Sequence, residues 1–220
     1  KIASFEAVDL ALIQACARTG KPTIISTGLC SLQDIQEAVS AFRDAGGRSL
    51  ALLRCNSAYP AHPKEANLAS IPRMADLFGL PIGYSDHTLD SYQAVAAVAL
   101  GACLVEKHVI DAREPETADS AFSCLPDQLA ELVEGCRAAY DARGSVKFGP
   151  TPTEERSLKF RRSLYAATDI VQGESFTPTN VRCVRPGGGL APKHLPRVLR
   201  CTATRAVDRG EPITEDMLQR

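Results

Sequence analysis

Short apolar, β-branched runs alternate with longer stretches of helical period over the first two thirds of the chain, and no other feature restricts the fold as strongly. The runs occupy residues 1–4, 23–26, 49–54, 82–85 and 103–108. Between the second and third, Ser31 and Asp34 form an S-x-x-D cap, Leu32, Ile35, Val39 and Phe42 follow at helical spacing, and Gly46-Gly47 closes the helix. Residues 90–100 and 127–143 read as helices in the same way. The runs begin roughly twenty to thirty residues apart, the spacing of β-α units whose crossover helices return the chain for a parallel strand. Repeated β-α units imply a parallel sheet. With no Rossmann glycine fingerprint, the pattern fits an open sheet or part of a (β/α)8 barrel, and both folds build their sites at the C-terminal ends of the strands.

Those ends read Ser4 and Glu6; Ser26 and Thr27; Cys55, Asn56 and Ser57; Ser85, Asp86 and His87; Glu106, Lys107 and His108. Any one polar end is what a strand passing into a loop produces. Five together, carrying two of the four histidines, mark a candidate site. Neighbouring parallel strands lie about 4.8 Å apart, so imidazoles ending both can reach one ion; a hydrogen-bonded pair of core histidines is the equally open alternative. No cysteine has ligand spacing, and Asp86, Glu106 and Asp119 are near in sequence, which favours an N/O site for Mn, Mg or Fe over structural zinc. Asp86 and Glu106 could instead orient the rings. Lys1, Ser4, Ser26, Ser57 and Ser85 offer one cation and several hydroxyls, a set suited to an oxyanion such as phosphate, although serines also begin loops as caps. The phrase RTGKPT is no nucleotide loop: Ala15 stands where the first glycine belongs and Pro22 where Ser or Thr belongs.

Residues 144–157, GSVKFGPTPTEERS, break the pattern and read as a linker. We expect a catalytic domain over 1–145, a linker over 146–158 and a small β-rich module over 159–220. The module has β-like runs at 163–167, 181–184 and 200–206, and two similar phrases, ATDIVQGESFTPTNV and TRAVDRGEPITEDML. Its RPGGGLAP, beginning at Arg185, reads either as an anion cradle of backbone N–H groups or as a flexible loop. From Arg156 to Arg209 there are 11 Lys or Arg against Asp169, Glu174 and Asp208. Aromatic residues among them are few, which disfavours stacking onto single-stranded nucleic acid. The net charge of -1 supplies no field for nucleic acid or membrane, and the longest apolar run, 94–105, is too short to span a bilayer. Eight scattered cysteines without C-x-x-C read as reduced thiols, hence a cytoplasmic protein. The opening KIASFE reads as a strand already under way, so a longer parent chain is expected.

In order along the chain, KIASFE, ISTG, ALLRCNSAYP, GYSDHTLD, AVALGACLVEKH, RRSLYAATDI and VRCVRPGGGLAP resemble the sialic acid synthase family, which condenses phosphoenolpyruvate with an N-acylated amino sugar. DSAFSCLPDQL and FRRSLY are most similar to its pseudaminic-acid branch; Thr117-Ala118-Asp119 stands where the sialic-type enzymes tend to carry Gly-Pro-Asp. The resemblance implies an α/β fold, the C-terminal part of a (β/α)8 TIM barrel (strands four to eight), followed by a small antifreeze-like (SAF) domain. It implies a divalent metal, Mn or Mg, on His87 and His108, with Lys1, Ser4, Ser26 and Ser85 around the phosphate and carboxylate of phosphoenolpyruvate. Tyr59 and Asp119 match sugar-side positions, and Ser57 stands where sialic-type enzymes have Asn. Arg185 matches an arginine that reaches the neighbouring site of a domain-swapped homodimer. A metal-dependent aldolase on a similar barrel, and a binding module in the C-terminal part, are the competing expectations.

Overall fold

Thr23–Ser26 (β1), Leu50–Cys55 (β2), Ile82–Asp86 (β3) and Val105–Lys107 (β4) pair in parallel, in the order β1-β2-β3-β4. The computed structural model describes residues 1–114 and 116–220, and the chain divides into two compact units, Lys1–Ser145 and Val146–Arg220. In the first unit, α1 (Leu10–Arg18), α2 (Leu32–Asp44), α3 (Ser70–Phe78), α4 (Tyr92–Ala99) and α5 (Pro126–Arg143) connect or follow the strands. Leu52 and Leu53 of β2 are both fully buried, as expected of a parallel strand covered on both faces. Residue 83 must be glycine because a Cβ there would sit 2.6 Å from the Leu104 carbonyl. The capping box forms as expected, with Asp34 Oδ2 accepting from the Ser31 N–H at 2.7 Å, and α2 buries Ile35, Ala38, Val39 and Phe42 against the sheet.

One expected strand is reduced. Residues 1–4 contribute a single parallel bridge, Ile2 to Ile25, held by bonds from Ile2 N–H to Ile24 O and from Ser26 N–H to Ile2 O. Ser4–Glu6 then turns into a 3-10 helix, which takes the chain off the sheet edge.

The second unit is built from Ser163–Ala166 (β5) paired antiparallel with Val181–Val184 (β6), and Thr202–Ala203 (β7) with Leu218–Gln219 (β8). The expected run 200–206 shrinks to β7, because the chain around it pairs by isolated bridges instead. The two similar phrases pack as a pseudo-twofold pair. Ile170 and Val207 exchange both backbone hydrogen bonds at 2.9 Å. Gly173 N–H bonds Ala203 O while Gly210 N–H bonds Ala166 O, and Phe176 N–H bonds Cys201 O while Ile213 N–H bonds Leu164 O. Each turn is closed by its own glutamate: Glu174 accepts from Val171 N–H and Glu211 from Asp208 N–H. Leu164, Ile170, Phe176, Val198, Val207 and Ile213 form the core. Among the described residues no helix is long and apolar enough to cross a membrane.

Candidate active site

The C-terminal ends of the four strands and the bridge at Ile2 bring the polar ends to one edge of the sheet. Register pairs Ser85 with Glu106 and Asp86 with Lys107. Successive side chains of a strand point to opposite faces, so these two rungs do different things. On one face Glu106 Oε1 accepts from Ser85 Oγ at 2.8 Å and takes the Lys1 ammonium at 3.0 Å. On the other, Lys107 and Asp86 pair at 2.7 Å. The possibility that Asp86 and Glu106 orient the histidine rings is therefore not met: their bonds go to Lys107 and Thr88, and to Ser85 and Lys1.

The rings are held by other groups. His87 Nδ1 lies 2.7 Å from the Asn56 carbonyl, which can only accept, so Nδ1 carries the proton and the neutral ring offers its lone pair at Nε2. His108 Nδ1 lies 3.3 Å from Asp119 Oδ2, which fixes its ring in the same sense. The ring centroids are 5.3 Å apart. Imidazoles held at Nδ1 by a carbonyl or carboxylate are the arrangement that presents Nε2 to a metal, so this pair fits a divalent ion. Among the described residues no set of three or more His, Cys, Asp or Glu is placed to hold one. Two protein donors leave most of an ion's coordination to water and substrate, the pattern of an open, reactive site rather than a closed structural one.

Tyr59 packs on His87 at 4.2 Å between centroids, and Phe122 packs on His108 at 5.1 Å and on Tyr59 at 5.2 Å. Phe122 was not singled out from sequence; its only signal is its place in DSAFSCL, three residues after Asp119. Cys55, also unassigned, lies 3.9 Å from His87 Nδ1 and 3.8 Å from Ser57 Oγ. Burial pushes its thiol up, but hydrogen bonds with His87, Ser4 and Ser85 outweigh this and bring it down to about 7.

Beside the imidazoles lies a cluster of hydroxyls. Ser4 Oγ accepts from Gly28 N–H at 2.9 Å. A side chain at residue 28 would meet Ser57 Oγ and come within 2.8 Å of Ser4 Oγ, so glycine keeps this cradle open. Ser26 is 2% exposed, and its Oγ is the one buried side-chain polar atom without a hydrogen-bond partner among the described residues. A buried hydroxyl left unpaired costs about 1–3 kcal/mol, which is tolerated where a ligand supplies the missing partner. The structure thus brings Lys1, Ser4, Ser26, Ser57, Tyr59, Ser85, His87, His108 and Asp119 to one unit's strand ends. Arg185 belongs to the second unit, directly after β6. The loop that follows it is neither an anion cradle nor free: Gly187 N–H bonds Lys159 O, and Gly188 and Gly189 N–H both bond Ser163 Oγ.

Comparison with known proteins matches each unit to a known family model. Residues 1–148 match the model of the NeuB family and residues 161–219 that of the SAF domain. The chain is 38% identical over 222 residues to the pseudaminic acid synthase of Helicobacter pylori, covering 100% of this chain and 65% of that protein. It is 36% identical over 205 residues to the N,N'-diacetyllegionaminic acid synthase of Legionella pneumophila, covering 90% and 57%. The crystal structure of N-acetylneuraminic acid (sialic acid) synthetase from Leptospira borgpetersenii in complex with citrate superimposes with a TM-score of 0.67 at 34% identity, over 73% of this chain and 56% of that one. The chain spans less than two thirds of the length of each of these three proteins.

Proposed function

The chain belongs to the NeuB family, and from that premise we propose that its protein condenses phosphoenolpyruvate with an open-chain 2,4-diacetamido-2,4,6-trideoxy hexose, releasing phosphate and forming a nonulosonic acid, as a pseudaminic acid synthase. The observation that carries the reading is Ser26: a buried hydroxyl without a partner among the described residues, set with Ser4, Ser57, Ser85 and the Lys1 ammonium, suits an oxyanion. Lys1, Ser4, Ser26 and Ser85 hold the phosphate and carboxylate. Tyr59 and Asp119 hold the sugar, with Phe122 walling the same side. The two substrates are then face to face at the strand ends, and much of the rate comes from that positioning. C3 of phosphoenolpyruvate forms the bond to the aldehyde carbon, water adds at C2, and the tetrahedral intermediate loses phosphate. His87 and His108 would hold a divalent ion, Mn or Mg, which would supply a Lewis acid for the aldehyde oxygen. Asn56 O and Asp119 Oδ2 hold the Nδ1 side of His87 and His108 and so turn Nε2 of each toward the site, and the aromatic wall of Tyr59 and Phe122 limits stray water.

We further propose a domain-swapped homodimer in which Arg185 serves the partner subunit's site, and a cytoplasmic location. The test is phosphate release when the intact protein meets both substrates. Release only with both present supports the synthase. Carbon–carbon bond formation without phosphoenolpyruvate would favour the aldolase instead. The relatives above are named for different acids at similar identity, so the same assay with the legionaminic acid precursor and with N-acetylmannosamine decides the sugar.

A further inference from the structure

Asp86 and Lys107 are register partners at the ends of β3 and β4. Their side chains are 0% and 4% exposed, and the ion pair measures 2.7 Å. Lys107 Nζ also donates to the carbonyls of Thr88, at 2.6 Å, and Asp90, at 2.8 Å, so each of its three protons has an acceptor. Asp86 Oδ1 accepts from Thr88 N–H at 3.0 Å and from Thr88 Oγ1 at 2.7 Å. The result is a closed knot that joins the end of β3, the loop 88–90 and the end of β4. None of its groups handles substrate in the condensation proposed above.

A buried ion pair is a weak source of stability, because desolvating two charges roughly cancels their attraction. What the knot does is visible in the sequence positions. His87 follows Asp86 and His108 follows Lys107, and the residues on both sides of His87, Asp86 by its carboxylate and Thr88 by its carbonyl, are tied to β4 through the one ammonium. We propose that Lys107 is a positioning residue: by drawing Asp86, Thr88 and Asp90 onto β4 it fixes the separation at which His87 and His108 are presented. The inference rests on reading the two histidines as one ion-holding pair. Asn56 and Asp119 set how each ring is turned; Lys107 sets how far apart the rings stand.

The test uses the intact protein with 15N-labelled histidine and the double variant Asp86→Asn/Lys107→Met, which removes both charges at little change in volume and leaves no lone buried charge. Without metal, the imidazole resonances of His87 and His108 should broaden or split in the variant, while those of His62 and His194 stay as in the wild type. Mn2+ affinity, followed through the resonance of the free aquo ion, should fall roughly ten- to a hundredfold, the range found when groups behind a metal's ligands are lost. If the double variant does not fold, Lys107→Arg keeps the charge and moves the donor, and the same two readouts should change in the same direction. A folded variant with unchanged His87 and His108 resonances and Mn2+ affinity within twofold of wild type overturns the inference and leaves the knot to the fold alone. A wild-type protein that binds no Mn2+ sinks the metal reading separately, and the metal-free resonances then decide the inference by themselves.

Discussion

His87 and His108 stand with their ring centroids 5.3 Å apart, and the Nδ1 of each is held by a group outside the pair, Asn56 O for one and Asp119 for the other. Rings held at Nδ1 within the protein leave Nε2 of each free for a ligand, and the two histidines directly follow the register partners Asp86 and Lys107 on paired strands. The consequence is a site that asks little rearrangement of the protein when an ion arrives.

Replacing His87 or His108 by Ala should each lower Mn2+ affinity at least roughly tenfold and reduce turnover to a similar or greater degree. Chelation should abolish phosphate release by the wild type, with Mn2+ or Mg2+ restoring it. Calorimetric metal titration beside the phosphate assay checks both. Full turnover by a rigorously metal-free His87→Ala/His108→Ala protein would remove the ion from the mechanism.

Ser26→Ala separates binding from stability. The hydroxyl has no partner among the described residues, so removing it should leave the folded state as stable as before or stabilise it by up to about 1 kcal/mol. Losing a hydrogen bond to a charged ligand should nevertheless raise KM for phosphoenolpyruvate by roughly ten- to a hundredfold, with KM for the sugar little changed. Gly28→Ala should act on the same KM, because its Cβ presses on Ser4 Oγ and Ser57 Oγ. Equal loss of affinity for both substrates would show that Ser26 shapes the whole site rather than the oxyanion pocket.

The α2 cap and the apolar stripe behind it were legible because both are local: Ser31, Asp34 and the spacing of Ile35, Val39 and Phe42 lie within one helix. The internal repeat of the second unit was legible as a phrase, but its pseudo-twofold pairing of Ile170 with Val207 was not, since 37 residues separate them and only folding brings them together. In the site, strand-end position was enough to gather the serines and histidines. It did not distinguish neighbours on opposite faces, which is why Asp86 and Glu106 were open candidates for orienting the rings, and it gave no sign that Asn56 acts through its backbone carbonyl. Phe122 lies on no regular element, so no period pointed to it.

The 220-residue chain, expressed by itself, should behave as a loosely closed structure. β4 is the last strand of an unclosed parallel sheet, and the groove between it and α5, about 860 Å³, is lined by Val98, Leu104, Val105, Leu132, Val133 and Tyr140 among others. An open edge beside exposed apolar surface favours association. ANS fluorescence well above that of a closed globular control, together with concentration-dependent light scattering, is expected. A monodisperse product that unfolds cooperatively and leaves ANS dark would mean that the groove is closed by the chain itself.

The last prediction concerns Arg185, which directly follows β6 at the head of a glycine loop whose N–H groups are already bonded within the second unit. With the backbone occupied, the guanidinium is what this corner has to offer a ligand, and its fork of donors suits the hydroxyl and amide oxygens of an N-acylated sugar. Losing such a contact should cost about 1.5–3 kcal/mol, a roughly ten- to hundredfold fall in kcat/KM. Whether it serves its own site or the partner's is read by mixing two impaired variants of the intact protein, Arg185→Ala and His87→Ala, under conditions of subunit exchange. If Arg185 acts across the dimer, mixed dimers gather both lesions in one site and leave the other whole, so activity should rise toward half that of wild type per mixed dimer. If it acts within its own subunit, every site in a mixed dimer keeps one lesion and activity stays at the average of the parents. Native mass spectrometry of differently tagged subunits confirms that mixed dimers have formed, so an unchanged rate assigns Arg185 to its own chain or to the fold.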